Sequence, residues 1–305
     1  MTAPWRVGTR GSALALTQTK QTADRLVRHR DGAAYELVTI RTEGDVSTAP
    51  LASLGGTGVF AAALRQALLA GEVDLAVHSL KDLPTAPTPG LRLAAHPRRE
   101  DPRDALCSRD GLRLADLPHG ARVGTGSPRR AAQLRALRPD LTVVAIRGNV
   151  GTRLARIEQD LDAVVLACAG LRRLGLDDAI SEALPPAVML GAPGQGALAV
   201  EVREDLSDQD LLAALAALDD ADTRASITAE RALLATLEAG CSAPVGAYAE
   251  VHDGRLHLDA AVVAVDGTDQ YRSQASGNAT PEGAAALGKL VAEELLGQGA
   301  DQLIG

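Results

Sequence analysis

A single cysteine in a loop of small residues is the first feature of this sequence that could perform chemistry. Cys241 lies among alanine, glycine and serine in residues 239–243, directly after a stretch with helical periodicity. A thiolate is a strong nucleophile, and it reacts only where other molecules can reach it. Alone, the loop also fits an unreactive small residue, so its interpretation depends on the other groups that the chain provides.

A carboxylate beside a lysine is the second such feature. Asp82 and Lys81 follow a short apolar strand predicted at residues 73–77. In a cationic pocket Asp82 would stay ionised, where it could stabilise a developing positive charge and exchange protons. The alternative is a loop aspartate that caps its own turn.

Turns that combine arginine with a small hydroxyl or amide residue recur at predicted strand ends. Ser12, Ser127 and Asn149 can cap the following helix there, and the free backbone N–H groups of that helix favour an anion. Solvated arginines on a capped surface helix are the alternative for any one turn. The residues concerned are Arg10 and Ser12, Ser127, Arg129 and Arg130, Arg147 and Arg153, and, less clearly, Arg173. Because guanidinium groups bind carboxylates in bidentate fashion, this recurrence favours a polyanionic ligand.

The composition excludes several function classes. The chain has 305 residues, a net charge of −8 and only 2% aromatic residues, which argues against binding nucleic acid. It has no apolar run of the roughly 20 residues that span a bilayer and no signal-like N-terminus, so we expect a cytoplasmic protein without membrane contact. Cys107, Cys168 and Cys241 are too few and too far apart for a disulfide framework or a metal site. Cys107 and Cys168 lie in apolar, strand-like contexts and are expected to pack in the core.

Alternating strands and helices must position these groups. Helices are predicted at residues 12–30, 59–70, 128–137, 208–218, 219–237 and 281–297. Strands are predicted at residues 6–8, 35–40, 73–77, 91–94, 122–124, 141–146, 163–167, 197–202, 247–251, 255–264 and 270–276. The alternation in the first two thirds predicts mostly parallel α/β sheets, whereas the last third predicts an antiparallel α+β domain.

Two proline-containing breaks, at residues 97–103 and 185–196, predict that the chain crosses twice between the same pair of domains. Such a double crossing would form a hinge, with the ligand in the cleft. The predicted boundaries are residues 1–98 with 197–217 for domain 1, 103–191 for domain 2, and 219–305 for domain 3, which carries the cysteine loop.

Together these motifs resemble the porphobilinogen deaminase family over nearly the whole chain. The matching stretches are residues 9–15, 77–82, 100–104, 147–154, 193–196 and 238–241. The resemblance implies two domains like periplasmic binding proteins and a smaller C-terminal α+β domain. It also implies a monomeric transferase that condenses four porphobilinogens head to tail, each losing ammonia, on a dipyrromethane cofactor joined to Cys241 by a thioether. Water then releases hydroxymethylbilane.

The resemblance also implies roles for individual residues. Asp82 would be catalytic, acting on pyrrole N–H groups and on a cationic azafulvene-like intermediate. The cofactor would be held by Cys241, Lys81, Ser127, Arg129, Arg130, Arg147 and Arg153. The substrate would be held by Arg10, Ser12 and Arg173. Thr57 and the run Gly126-Ser127-Pro128 depart from the family pattern, which affects loop contacts and one carboxylate site.

Two other function classes compete with this interpretation. A non-catalytic anion-binding receptor with the same fold would be secreted and would need no reactive thiol. The absence of a signal segment and the presence of both Cys241 and Asp82 in the chain count against a receptor. A nucleic-acid-binding regulator is a weaker third hypothesis, because no helix-turn-helix pattern precedes the α/β region and the net charge has the wrong sign.

Overall fold

Three β-sheets organise the part of the chain that the computed structural model describes. The described residues are 3–29, 33–40, 59–240 and 243–304. The chain divides into two units, unit 1 being Met1–Arg99 with Ala197–Arg224 and unit 2 being Glu100–Gly196 with Ala225–Gly305. The finer division into three domains at the boundaries given above stays a prediction.

Each predicted strand and helix has a counterpart in the structure, whereas the elements at residues 104–108, 150–154, 168–173, 182–184 and 301–304 were not predicted. The first are β1 (Trp5–Thr9), α1 (Ala13–Val27), β2 (Tyr35–Thr39), α2 (Val59–Leu69), β3 (Leu75–Ser79) and β4 (Leu91–Ala95). Then come β5 (Asp104–Ser108), β6 (Arg122–Thr125), α3 (Pro128–Leu137), β7 (Thr142–Ala145), α4 (Val150–Leu154), β8 (Ala163–Ala167), α5 (Cys168–Arg173), β9 (Glu182–Leu184) and β10 (Leu198–Arg203). The last are α6 (Gln209–Leu218), α7 (Ala221–Thr236), β11 (Val245–His252), β12 (Arg255–Val263), β13 (Gln270–Asn278), α8 (Pro281–Gln298) and α9 (Asp301–Ile304).

Sheet 1, in unit 1, has the strand order β2-β1-β3-β10-β4. β1 runs parallel to β2 and β3, whereas β10 runs antiparallel to its neighbours β3 and β4. Four strands therefore point one way and β10 points the other. The core beneath the sheet joins Val7, Leu26, Val200 and Leu215, each almost fully buried. As predicted, the chain returns to this first sheet after the second break.

Sheet 2, in unit 2, repeats this arrangement as β7-β6-β8-β5-β9. β6 is parallel to β7 and β8, and β5 is antiparallel to β8 and β9. In both sheets the fourth position holds the one reversed strand. Sheet 3 is the antiparallel meander β11-β12-β13, and α7 and α8 contribute Leu233 and Val291 to its core. The predicted fold class, two α/β regions with a smaller α+β region, is confirmed.

Some predicted elements differ from the structure. The strand predicted at residues 73–77 is Leu75–Ser79, because Asp74 receives a hydrogen bond of 2.8 Å from the backbone N–H of Arg6 and the pairing with β1 starts at Leu75. The described residues contain no helix that is long and apolar enough to cross a membrane.

The two described cysteines are buried, as predicted, but only one lies on a strand. Cys107 lies on β5, whereas Cys168 begins α5, its backbone N–H donating to the carbonyl of Arg103 at 3.1 Å. The strand predicted at residues 163–167 matches β8, and Cys168 follows it directly. Burial raises the pKa of both thiols to about 12, so neither forms a nucleophilic thiolate near neutral pH.

Candidate functional site

The turn that carries Lys81 and Asp82 continues directly from β3. β3 is buried along almost its whole length, and a short 3-10 turn, Leu80–Asp82, follows it. The backbone N–H of Leu80 donates to the carbonyl of Ala197 at 3.1 Å, which fixes the start of this turn. Lys81 and Asp82 are both half-buried. The structure therefore holds the two charged residues side by side at the carboxyl end of a central strand.

Arg10 and Ser12 lie at the same edge of sheet 1. They follow β1, whose carboxyl end is next to that of β3 because the two strands are parallel. Ser12 caps α1, as predicted, by accepting a hydrogen bond from the backbone N–H of Ala15 at 3.3 Å. The Ser79 hydroxyl donates to the side-chain oxygen of Gln18 on α1 at 3.2 Å, which ties the two segments together. Unit 1 thus brings four of the predicted residues, Arg10, Ser12, Lys81 and Asp82, to one edge.

In unit 2, Ser127 caps α3 and Pro128 occupies its first turn, both as predicted. The Ser127 hydroxyl accepts from the backbone N–H of Arg130 at 3.4 Å. A Cβ on Gly126 would lie 2.5 Å from the carbonyl oxygen of Ile146, far inside van der Waals contact. Glycine is therefore required by the close approach of these two backbone segments, and this accounts for part of the departure from the family pattern.

Arg129 and Arg130 are buried against one carboxylate of their own chain. Asp104 is fully buried, and its oxygens lie 2.8 Å from the Arg129 guanidinium and 2.7 Å from the Arg130 guanidinium. Burial favours the neutral acid, but the two guanidiniums outweigh it and hold the pKa of Asp104 well below its usual range. Gln195 adds a hydrogen bond of 2.8 Å to the same carboxylate. The contribution of Arg129 and Arg130 to ligand binding stays a prediction.

Further hydrogen bonds engage both guanidiniums within unit 2. Arg129 donates to the carbonyl of Leu190, and Arg130 donates to the carbonyl of Val165 at 3.1 Å.

Asp104 was not among the functional residues predicted from the sequence, although it lies in one of the stretches that match the family. The available signal was an aspartate directly before the apolar run of residues 105–107.

The turn and helix α4 place Arg153 near both Arg130 and Arg147. Asn149 caps this short helix, as predicted, accepting from the backbone N–H of Thr152 at 2.8 Å. Arg153 donates to the carbonyl of Gly148 at 2.8 Å. Burial lowers the pKa of Arg153, and the positive charges of Arg130 and Arg147 lower it further. Arg153 therefore lies close enough to Arg130 and to Arg147 to be repelled by both, which favours a bound anion.

Arg173, at the end of α5, is the most strongly desolvated of the predicted ligands outside the Asp104 network. Burial lowers its pKa to about 10, and its guanidinium donates to the carbonyl of Gly196 at 2.7 Å. Gly196 itself has a φ of +85°, and a Cβ there would overlap the carbonyl of Glu100. Only glycine can occupy position 196, and the backbone carbonyl that accepts the hydrogen bond from Arg173 belongs to this residue.

Cys241 lies outside the described residues, as does Thr57. Of the described residues on either side of Cys241, Ala243 donates its backbone N–H to the carbonyl of Gly240 at 3.0 Å. Gly240 is exposed, and Ala239 is buried in the core of sheet 3. Among residues 3–29, 33–40, 59–240 and 243–304, no cluster of His, Cys, Asp and Glu is arranged to hold a metal ion.

The donor set in unit 2 fits a ligand with several carboxylates. Helix-capping residues, half-buried Arg153 and Arg173, and the charge excess around Arg130 all favour anionic groups. A dipyrromethane built from two porphobilinogens carries an acetate and a propionate on each ring. The residues present are therefore compatible with this cofactor.

Comparison with known proteins identifies the family. The family model for the porphobilinogen deaminase dipyromethane cofactor binding domain matches residues 5–212, and the model for the porphobilinogen deaminase C-terminal domain matches residues 225–297. A porphobilinogen deaminase of Thermobifida fusca is 56% identical, over 99% of this chain and 96% of that protein. One of Leifsonia xyli is 58% identical, over 98% of this chain and 93% of that protein.

Among solved structures, a periplasmic binding protein of Salmonella typhimurium with high arginine specificity aligns over 71% of this chain and 93% of that chain. Its TM-score is 0.39 and its sequence identity is 17%. The family models and the relatives confirm the family that the motifs indicated. The chain belongs to the porphobilinogen deaminase family, whose members are transferases of tetrapyrrole and haem biosynthesis with a dipyrromethane cofactor.

Proposed function

We propose that in this chain Asp82 stabilises the cation formed in the porphobilinogen deaminase reaction, and that a group of arginines binds the carboxylates. The reaction joins four porphobilinogens head to tail with loss of one ammonia at each addition, and water then releases hydroxymethylbilane. Each addition creates positive charge on a pyrrole and brings two more carboxylates. The chain therefore needs one group that stabilises a cation and several that bind anions.

Asp82 is the proposed catalytic residue. Its turn is anchored to sheet 1 through Leu80 and Ser79, so the backbone that carries its carboxylate is held in place before the substrate arrives. A fixed carboxylate stabilises the positive charge that develops on the pyrrole as ammonia leaves, and it can accept or return a proton at the pyrrole nitrogen. Arg10, Ser12 and Arg173 are the proposed ligands of the substrate carboxylates.

The cofactor carboxylates are proposed to bind Lys81, Ser127, Arg129, Arg130, Arg147 and Arg153. The single observation that carries this assignment is the burial of Arg153 within reach of the charges of Arg130 and Arg147. A bound carboxylate removes that repulsion and replaces the water that the guanidiniums have lost. When bound, dipyrromethane supplies the pyrrole carbon to which the first substrate is joined. Its proposed attachment point is the sulfur of Cys241.

Two further proposals concern the whole protein. The family resemblance supports a cytoplasmic enzyme that acts as a monomer, and light scattering of the purified protein measures the second property. The three-domain division supported by the sequence is compatible with the separate hydrophobic cores of sheets 2 and 3 in unit 2.

Intact-mass analysis of the purified protein tests the attachment. We expect an added mass equal to two porphobilinogen units that have each lost ammonia. The addition should be absent from Cys241→Ser, which should also be inactive, and it should be present in the matched control Cys168→Ala, whose thiol is buried. An active protein whose Cys241 reacts freely with thiol reagents contradicts the proposal.

A further inference from the structure

A buried carboxylate on β10 connects three elements of unit 1. Glu201 is 2% exposed, and one of its oxygens lies 3.1 Å from Nε2 of His78 on β3. The guanidinium of Arg65 on α2 approaches the same carboxylate, with Nη2 at 2.9 Å and Nε at 3.0 Å from Oε1. Helix α2 and strands β3 and β10 therefore meet at one charged group, to which neither the sequence patterns nor the proposed function assign a role.

The charge of Glu201 is maintained by its neighbours. Burial by itself raises the pKa of a carboxyl group, but the close contacts with His78 and Arg65 hold the pKa of Glu201 below its usual value. A buried ion pair of this kind contributes little net stability compared with apolar packing, whereas it fixes the geometry of the groups that it joins. A role in geometry is therefore the better explanation for a carboxylate at this position.

This network lies directly before the turn that carries Asp82. His78 is the penultimate residue of β3, and Leu80–Asp82 begins immediately after the strand. On β10, Ala199 pairs with His78 and Leu198 with Ser79, so Glu201 lies two residues along β10 from the partner of His78. The attachments at the end of β3 include Glu201 to His78, Gln18 to Ser79, and Ala197 to Leu80.

We propose that Glu201 is a positioning residue for Asp82, acting through His78 and held in its own position by Arg65. The inference rests on the proposed catalytic role of Asp82. Displacement of a catalytic group by about 1 Å can reduce the rate roughly 100-fold, so loss of the attachment between Glu201 and His78 should be visible in turnover. Binding of substrate carboxylates depends on other side chains and should change little.

Glu201→Gln is the first test, because the amide keeps the shape of the side chain and removes its charge. We expect kcat to fall by roughly 10- to 100-fold while KM changes little. Hydrogen–deuterium exchange of the amides of residues 79–83 should become faster, and the intact mass should still show the attached cofactor. His78→Leu is the second test, because it removes only the contact with β3 and leaves the ion pair between Arg65 and Glu201 in place.

Asp74→Asn is the matched control. Asp74 forms an ion pair of 2.7 Å with Arg6 at the opposite, amino end of β3. Its loss should lower stability towards urea without changing kcat or the exchange of residues 79–83. A purely structural role for Glu201 would give the same pattern in the Glu201→Gln variant.

The outcomes separate this inference from the function on which it rests. Normal turnover and normal exchange in folded Glu201→Gln or His78→Leu, while Asp82→Asn is inactive, overturn the inference alone. Normal turnover by Asp82→Asn overturns the proposed catalytic residue and the purpose assigned to the network. Slow turnover with faster exchange in both variants, and neither change in Asp74→Asn, supports the inference.

Discussion

The reversed strand of each five-stranded sheet carries a buried carboxylate, and the two carboxylates contact different numbers of guanidinium groups. On β10 of sheet 1, Glu201 meets one guanidinium and a histidine. On β5 of sheet 2, Asp104 meets two guanidiniums, and Arg153 lies near one of these. The same strand order therefore places one guanidinium against the buried carboxylate of unit 1 and two against that of unit 2. The comparison indicates that the fold fixes where a buried charge lies, and the neighbouring side chains decide its use.

Removing the carboxylate of Asp104 is expected to have the largest effect. Asp104→Asn leaves two buried guanidiniums without their counter-ion, and loss of one partner from a buried ion pair costs about 3–5 kcal/mol. Urea unfolding at pH 7 measures this loss. Asp140→Asn, which breaks a more exposed pair of 2.7 Å with Arg138, is the control and should cost far less.

The same variant has a defined pH dependence. Because the pKa of Asp104 is lower in the folded protein than in the unfolded chain, its contribution is fully present above the unfolded value of about 3.9. It is lost as the pH falls from there towards the lower folded value. The stability difference between wild type and Asp104→Asn should therefore be constant near neutral pH and shrink in acid. A difference that stays constant down to pH values below that range would be inconsistent with an ionised Asp104.

The second largest effect is expected from replacing Asp82 in unit 1. Asp82→Asn should fold and acquire the cofactor, because Asp82 lies on a half-buried turn and belongs to neither core. Its turnover should fall by about 100-fold or more, since a neutral amide cannot stabilise a developing cation. Porphobilinogen consumption measures the loss. Near-normal product formation would remove Asp82 from the mechanism.

The smallest effect is expected from replacing Arg153, which lies near two other arginines in unit 2. Arg153→Leu should reduce kcat/KM by roughly 10-fold, the loss of one charge-assisted hydrogen bond, without lowering the free energy of unfolding. Stability should be retained because burial of this guanidinium is unfavourable in the protein without its ligand. Arg156→Leu, which breaks a surface pair with Asp160, is the control and should leave kcat/KM unchanged. A clear loss of stability in Arg153→Leu with normal kinetics would mean that the arginine is structural.

Local signals in the sequence predicted the elements and caps well. Ser127 and Pro128 define the start of α3, and the predicted helix at residues 128–137 matches the structure. Ser12 and Asn149 cap as predicted for the same reason, since capping depends on a side chain and a backbone group three residues apart. These features need no knowledge of the rest of the chain.

Features that depend on pairing distant strands were not predictable in this way. The limits of β3 are set by its register with β1, which hydrophobicity does not reveal. The partnership of Asp104 with Arg129 and Arg130 requires β5 to lie beside β8, the strand that packs against the same core as α3. Glu201 and His78 become neighbours only because β10 returns to pair with β3. The sequence motifs predicted the reactive groups, whereas the residues that hold these groups in place could be identified only from the sheet topology.

The late position of β10 in the chain has a consequence for biosynthesis on the ribosome. β3 and β4 are made early, but the strand that lies between them is made only after residues 96–197 have been added. Until then both strands have an unpaired edge, and unpaired edges promote aggregation. Sheet 2 is encoded by one uninterrupted segment within this interval, so it can complete itself first. The nascent protein should therefore depend on chaperones mainly through its N-terminal sheet, although that sheet leaves the ribosome first.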